Sequence, residues 1–92
     1  MYVVFILEEA LEDLTTIVAH ISAENVAAAE TLGNELIDEA MSLELMPYRG
    51  SVVKKQPALR KLIHGNYLVY YRIKEPENTV EIVSFVHGAQ IK

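Results

Sequence analysis

The sequence predicts an α+β fold: a short N-terminal strand, an antiparallel helical hairpin, then a three-stranded antiparallel meander. Three observations carry this. Apolar residues recur at helical spacing from Leu11 to Leu43; β-forming residues alternate from Arg60 to His87 around two turns; and Pro47-Tyr48-Arg49-Gly50 divides the two patterns. With 92 residues, 51% of them hydrophobic, the chain suits a single domain spanning residues 1–92 with one core.

Tyr2 to Leu7 is a run of β-formers too short to span a membrane, and it lacks the basic flank of a signal peptide. It is expected to join the sheet at an edge or in the middle. Leu11, Leu14, Ile17 or Val18, and Ile21 form the buried stripe of a first helix, whose Glu8, Glu9, Glu12 and Asp13 complement the positive end of the helix dipole. Ser22 to Asn25 interrupts the pattern with good capping residues, and a second helix runs from about Val26 to Leu45. Ala27 to Ala29 and Gly33 allow the two helices to approach closely. Pro47 ends the second helix and Gly50 is expected to supply the reversal. Ser51 to Pro57 reads as a loop carrying Lys54 and Lys55, with the sheet starting near Ala58.

Gly65-Asn66 supplies turn residues that tolerate positive φ, and Pro76 with Asn78 breaks the next strand before Val80 restarts it. A turn over Glu75 to Asn78 pairs Lys74 with Thr79, Ile73 with Val80 and Arg72 with Glu81, the last a cross-strand ion pair. Strict alternation then places Tyr67, Val69, Tyr71, Ile73, Val80, Ile82, Ser84 and Val86 on one face. Leu68, Tyr70, Arg72, Glu81, Val83, Phe85 and His87 fall on the other. Both faces are largely apolar. The helices cover one, so the second calls for a partner.

Charge is unevenly divided. Residues 1–48 hold ten acidic and no basic residues; residues 49–92 hold eight basic and three acidic, giving −10 and +5 for the net −5. A basic surface thus coexists with an acidic chain, suited to a charged partner or to nucleic acid. Without cysteine there is neither a disulfide framework nor a thiolate metal site, which fits the cytoplasm. His20, His64 and His87 are scattered over a helix, a turn and a strand end, so no metal and no cofactor are expected. The plain reading of His87 is a strand-end histidine; the sharper one is a general acid or base. Arg60 and Lys61 are the best contacts for phosphate or carboxylate, and adjacent strand positions point them to opposite faces. Tyr67, Tyr70 and Tyr71 suit sheet packing, with phenolic ends fit for an interface.

The order of parts resembles the RelE/ParE superfamily of toxins from type II toxin-antitoxin modules. The resemblance rests on the acidic hairpin containing Asp13-Leu14-x-x-Ile17-x-x-His20-Ile21, on Pro47-x-x-Gly50, on Arg60, on Gly65-Asn66-Tyr67-x-Val69-x-Tyr71-x-Ile73, on Val80-x-Ile82 and on Val86-His87-Gly88-Ala89. It implies a small cytoplasmic toxin of the plasmid-stabilisation type. A cognate antitoxin encoded nearby would neutralise it by wrapping a C-terminal segment across it, in a possible heterotetramer. RelE-like members cleave mRNA on the ribosome without a metal, chemistry that needs a base, an acid and a cation at the phosphate. Their arginine after the central-strand tyrosine is Leu68 here, and their tyrosine-bearing ending is Gln90-Ile91-Lys92. For that reaction the catalytic candidates are Arg60, Lys61 and His87. ParE-like members inhibit DNA gyrase by protein-protein contact, and the ending Val86-His87-Gly88-Ala89 resembles theirs more closely, although their following arginine is Gln90 here. The expectation is therefore a ParE-like, non-enzymatic toxin, with Arg60, Tyr67, Tyr70, Arg72, Phe85, His87 and Gln90 as partner contacts. The alternatives are a ribosome-dependent mRNA endonuclease and a degenerate, non-toxic peptide-binding member.

Overall fold

The computed structural model describes residues 1–88. Strand β1 (Val3–Ile6) leads into helix α1 (Glu8–Ser22), which is followed by α2 (Val26–Met41). A 3₁₀ turn (Ser42–Glu44) and a loop then precede β2 (Ser51–Val53), β3 (Gln56–His64), β4 (Tyr67–Lys74) and β5 (Thr79–His87). The strands form one mixed sheet in the order β1-β5-β4-β3-β2, with β1 parallel to β5 and the other pairs antiparallel. The expected meander is β3-β4-β5, and β1 joins it at an edge.

Both helices pack on one sheet face, where Leu14, Leu36, Leu43, Val69, Tyr71, Val80, Ile82 and Phe85 form the core. Asn25 caps α2 through its Oδ1, which accepts the Ala28 N–H at 3.0 Å. A Cβ on Gly33 would stand 3.2 Å from Val18 Cγ2, so the small residue does let the helices close together. α2 gives way after Met41 to the tighter 3₁₀ turn, which buries Leu43 completely.

Three details differ from expectation. Ser51–Val53 is a strand, not part of a loop: Lys54-Lys55 turns the chain so that Ser51 pairs with Lys61 and Val52 with Arg60. Gly50 supplies no left-handed residue, since Gly65 (φ 58°) is the glycine with positive φ among the described residues. It is required for space instead, because a Cβ there would lie 2.5 Å from Tyr71 Oη and 2.7 Å from the Lys61 carbonyl oxygen.

The third concerns β5. From the turn at Glu75 the register runs as predicted, Lys74 with Thr79, Ile73 with Val80 and Arg72 with Glu81, and Asn78 takes the left-handed conformation (φ 50°). Then a bulge intervenes. Tyr71 pairs with Ile82 and Tyr70 with Ser84, leaving Val83 as the extra residue. One inserted residue reverses the side-chain parity of everything beyond it. Phe85 and His87 therefore move to the helix side, opposite Val69 and Tyr67, while Ser84 and Val86 move to the open face. Burial explains the outcome: Phe85 is 2% exposed in the core, a place strict alternation would have given to Ser84.

Candidate partner-binding site

The sheet face away from the helices remains open. By cross-strand register it carries Val3 and Phe5 from β1, Arg72, Lys74 and Glu81 in the middle, and Tyr70, Leu68, Val86, Lys61 and Ile63 towards β3. Phe5 is 55% and Ile63 68% exposed, so apolar surface brackets the charged band. Within the band Arg72 Nε donates to Glu81 Oε1 at 2.5 Å, and Lys74 Nζ lies 4.0 Å from Oε2 of the same carboxylate. Of the predicted partner contacts, Tyr70 and Arg72 stand here, with Lys61 beside Tyr70.

Arg60 points the other way, and its guanidinium is occupied. Nη1 donates to the carbonyls of Gly50 (2.8 Å) and Tyr48 (3.3 Å), and the group lies 5.0 Å from the centre of the Tyr48 ring. Next to it the buried Tyr71 hydroxyl donates to the Pro47 carbonyl (2.7 Å) and accepts the Gly50 N–H (3.0 Å). Burial raises the Tyr71 phenol above the ordinary 10.0, against a partial opposing effect of the Gly50 N–H and the positive charges of Arg60 and Arg49. The Pro47–Gly50 loop is thus stapled to β3 and β4.

At the opposite end of β4 the helix side opens into a cleft of about 530 Å³ between α1 and the ends of β4 and β5. Tyr67 and His87 form its sheet wall, ring centres 4.9 Å apart. Asp13, Ile17, His20 and Ile21 face it from α1, and Glu24 faces it from the turn that follows. α1 reaches this position because β1 pairs with β5 only up to Ile82. Beyond that point the edge of β5 is bare of strand, and Asp13 Oδ2 accepts the Phe85 N–H at 3.2 Å. The predicted contacts did not include the cleft-lining Asp13, Ile17, His20, Ile21 and Glu24; their signal was an apolar-acidic stripe at positions 13, 17, 20 and 21 of α1, continued at 24 in the turn. The predicted contacts Tyr67 and His87 belong to this cleft rather than to the open face. Phe85 is a core residue whose side chain offers a partner almost no surface, and Gln90 lies outside the described residues.

The catalytic candidates do not converge. Arg60 and Lys61 project to opposite faces, and His87 lies opposite Tyr67, which itself pairs with His64. Four steps along β3 separate Arg60 from that row, roughly 13 Å. His64 is also in use, its Nε2 3.0 Å from Glu35 Oε1 on α2. Among the described residues no group of three His, Cys, Asp or Glu is placed to hold a metal ion, and no helix is long and apolar enough to cross a membrane.

A five-stranded mixed sheet with an N-terminal helical hairpin on one face is the architecture of RelE/ParE toxins. A chain of the chromosomal ParDE system from P. aeruginosa superposes with a TM-score of 0.81 at 16% identity, over 95% of this chain and 96% of that one. The RelBE2 toxin-antitoxin complex of Mycobacterium tuberculosis contains a chain with a TM-score of 0.70 and 25% identity, over 94% and 90%. A chain of the E. coli RelBE complex gives 0.62 and 16%, over 92% and 94%. No curated protein matches the sequence significantly. The family described as ParE toxin of the type II toxin-antitoxin system, parDE, matches residues 4–92, and the chain belongs to that family.

Proposed function

We propose that residues 1–92 act as one cytoplasmic toxin domain that inhibits DNA gyrase by protein-protein contact and is neutralised by an antitoxin encoded beside it. One observation carries the choice of mode of action. The groups suited to phosphate chemistry, Arg60, Lys61 and His87, sit on different faces or far along the sheet, and Arg60 already serves two loop carbonyls. RNA cleavage by 2′-hydroxyl attack needs such groups within about 3 Å of one phosphate, whereas a protein-protein inhibitor needs only a complementary surface. The open sheet face supplies one, with exposed Phe5 and Ile63 around a charged band. Membership of the ParE family supports the same choice.

The mRNA-endonuclease reading has one observation in its favour, the likeness to a RelBE2 chain at 25% identity. Tightly induced expression, with and without the adjacent small reading frame, tests the toxin assignment. Growth arrest rescued by the neighbour is expected. Purified protein should then block supercoiling by gyrase and leave ribosome-bound mRNA intact. Cut mRNA with unimpaired supercoiling would replace this reading with the nuclease one, and normal growth with soluble protein would point to a non-toxic, peptide-binding member.

A further inference from the structure

The cleft at the Tyr67 end has a chemistry of its own. Its floor is apolar, from Ile17 and Ile21, and one wall is the Tyr67–His87 ring pair. Its two ends are carboxylates, Asp13 and Glu24, and among the described residues neither lysine nor arginine lines it. Asp13 spends one oxygen on the Phe85 N–H and keeps Oδ1 available as an acceptor. Along α1 and the following turn, Asp13 to Glu24 spans roughly 16 Å at the helical rise, the length of about five extended residues. We propose that this cleft seats a short segment of the antitoxin carrying one arginine or lysine flanked by apolar residues. The basic head group lies over Tyr67 and pairs with Glu24, and the flanking apolar side chains cover Ile17 and Ile21.

The occupant follows from complementarity. An anionic segment or a nucleic-acid backbone would meet two carboxylates with no lysine or arginine among the described lining residues to offset them, whereas a cation gains both the carboxylates and the face of Tyr67. This assignment rests on the reading of the chain as an antitoxin-bound toxin. It is distinct from the open sheet face, which lies on the far side of the same strands.

The test uses the full chain and the purified product of the neighbouring reading frame. Glu24 is exposed just after the end of α1, where lysine is favoured by the helix dipole, so Glu24→Lys leaves the fold intact. The same charge change at exposed Asp38 on α2, outside the cleft, is the control. Glu24→Lys is expected to weaken antitoxin binding about tenfold or more by calorimetry, with Asp38→Lys changing it less than about threefold. Charge reversal of the antitoxin's basic residue should restore affinity for Glu24→Lys alone. Equal effects of the two toxin variants would overturn the cleft assignment and leave the toxin reading standing. Tighter binding by Glu24→Lys would show the occupant to be acidic, also overturning it. An antitoxin candidate that fails to bind the unaltered chain would remove both.

Discussion

The two ends of β4 meet the helix side of the sheet in opposite ways. At the Tyr71 end a phenol, a guanidinium and a glycine are committed to holding the Pro47–Gly50 loop: the hydroxyl bridges Pro47 and Gly50, and Arg60 grips Gly50 and Tyr48. At the Tyr67 end an equally aromatic and polar set, Tyr67, His87, His20 and Glu24, lines a cleft. Residue type alone does not separate the two. What separates them is whether a backbone segment has been brought in to use the polar atoms. Where one has, Arg60 and Tyr71 are parts of the fold; where no described segment has, Tyr67 and His87 line an open cleft.

The contrast is sharpest in stability. Gly50→Ala forces a Cβ against Tyr71 Oη and the Lys61 carbonyl, and should cost about 2 to 4 kcal/mol in urea denaturation because the neighbours are a buried ring and backbone. Retention of full stability would mean that the loop is not stapled there. Tyr71→Phe leaves the Pro47 carbonyl and Gly50 N–H unpaired, for a loss of about 1 to 3 kcal/mol.

The same residue sets a pH dependence. Because burial raises its pKa when folded, Tyr71 holds its proton more tightly in the folded than in the unfolded chain. Its contribution is complete below pH 10.0 and is lost as pH rises from there through the folded value. The Tyr2 phenol, raised chiefly by donating to Glu75, loses stability in the same direction, so the diagnostic quantity is the difference between wild type and Tyr71→Phe. The variant should show a shallower decline above pH 10.0, and parallel curves would contradict the assignment.

Arg60→Ala should destabilise by about 1 to 2 kcal/mol, through lost hydrogen bonds and ring contact, against about 0.5 kcal/mol or less for Lys74→Ala on the open face. Arg60→Ala is also expected to weaken toxicity or partner binding more than Lys74→Ala, because the loop it holds carries exposed Tyr48. Indistinguishable variants would take Arg60 out of both roles. His87→Ala should cost about 0.5 to 1 kcal/mol, for the ring contact with Tyr67. Amide exchange should record antitoxin binding there as slowed exchange within residues 67–87, and no slowing would show that the partner docks elsewhere.

The fold was legible wherever local chemistry and tertiary packing agree. The pairing of Arg72 with Glu81 could be counted outward from a turn whose length Pro76 and Asn78 dictate. The helical hairpin followed from two apolar stripes and a capping asparagine. Legibility ended where a long-range demand overrode a local rule. β2 was hidden because three residues and a Lys-Lys turn carry too little pattern to separate a hairpin from a loop. Gly50 looked like a reversal because the need for space around Tyr71 arises 21 positions away in the chain. Counting by twos put Phe85 and His87 on the open face, although apolar Ile82 and Val83 in succession, followed by Ser84 and Phe85, already conflict with strict alternation. Tyr70 and Arg72 lie before the break and kept their places; the cleft residues of α1 became visible only once the break turned His87 towards them.

The Val83 bulge bears on heredity as well as geometry. An in-frame loss of that single codon would close the bulge into a regular ladder, leaving Ser84 opposite Tyr70 on the open face and Phe85 opposite Val69 in the core. The last strand can thus absorb at this one position a change of length that would invert its faces in a regular stretch, because the spacing between Ile82 and Phe85 already carries a spare residue.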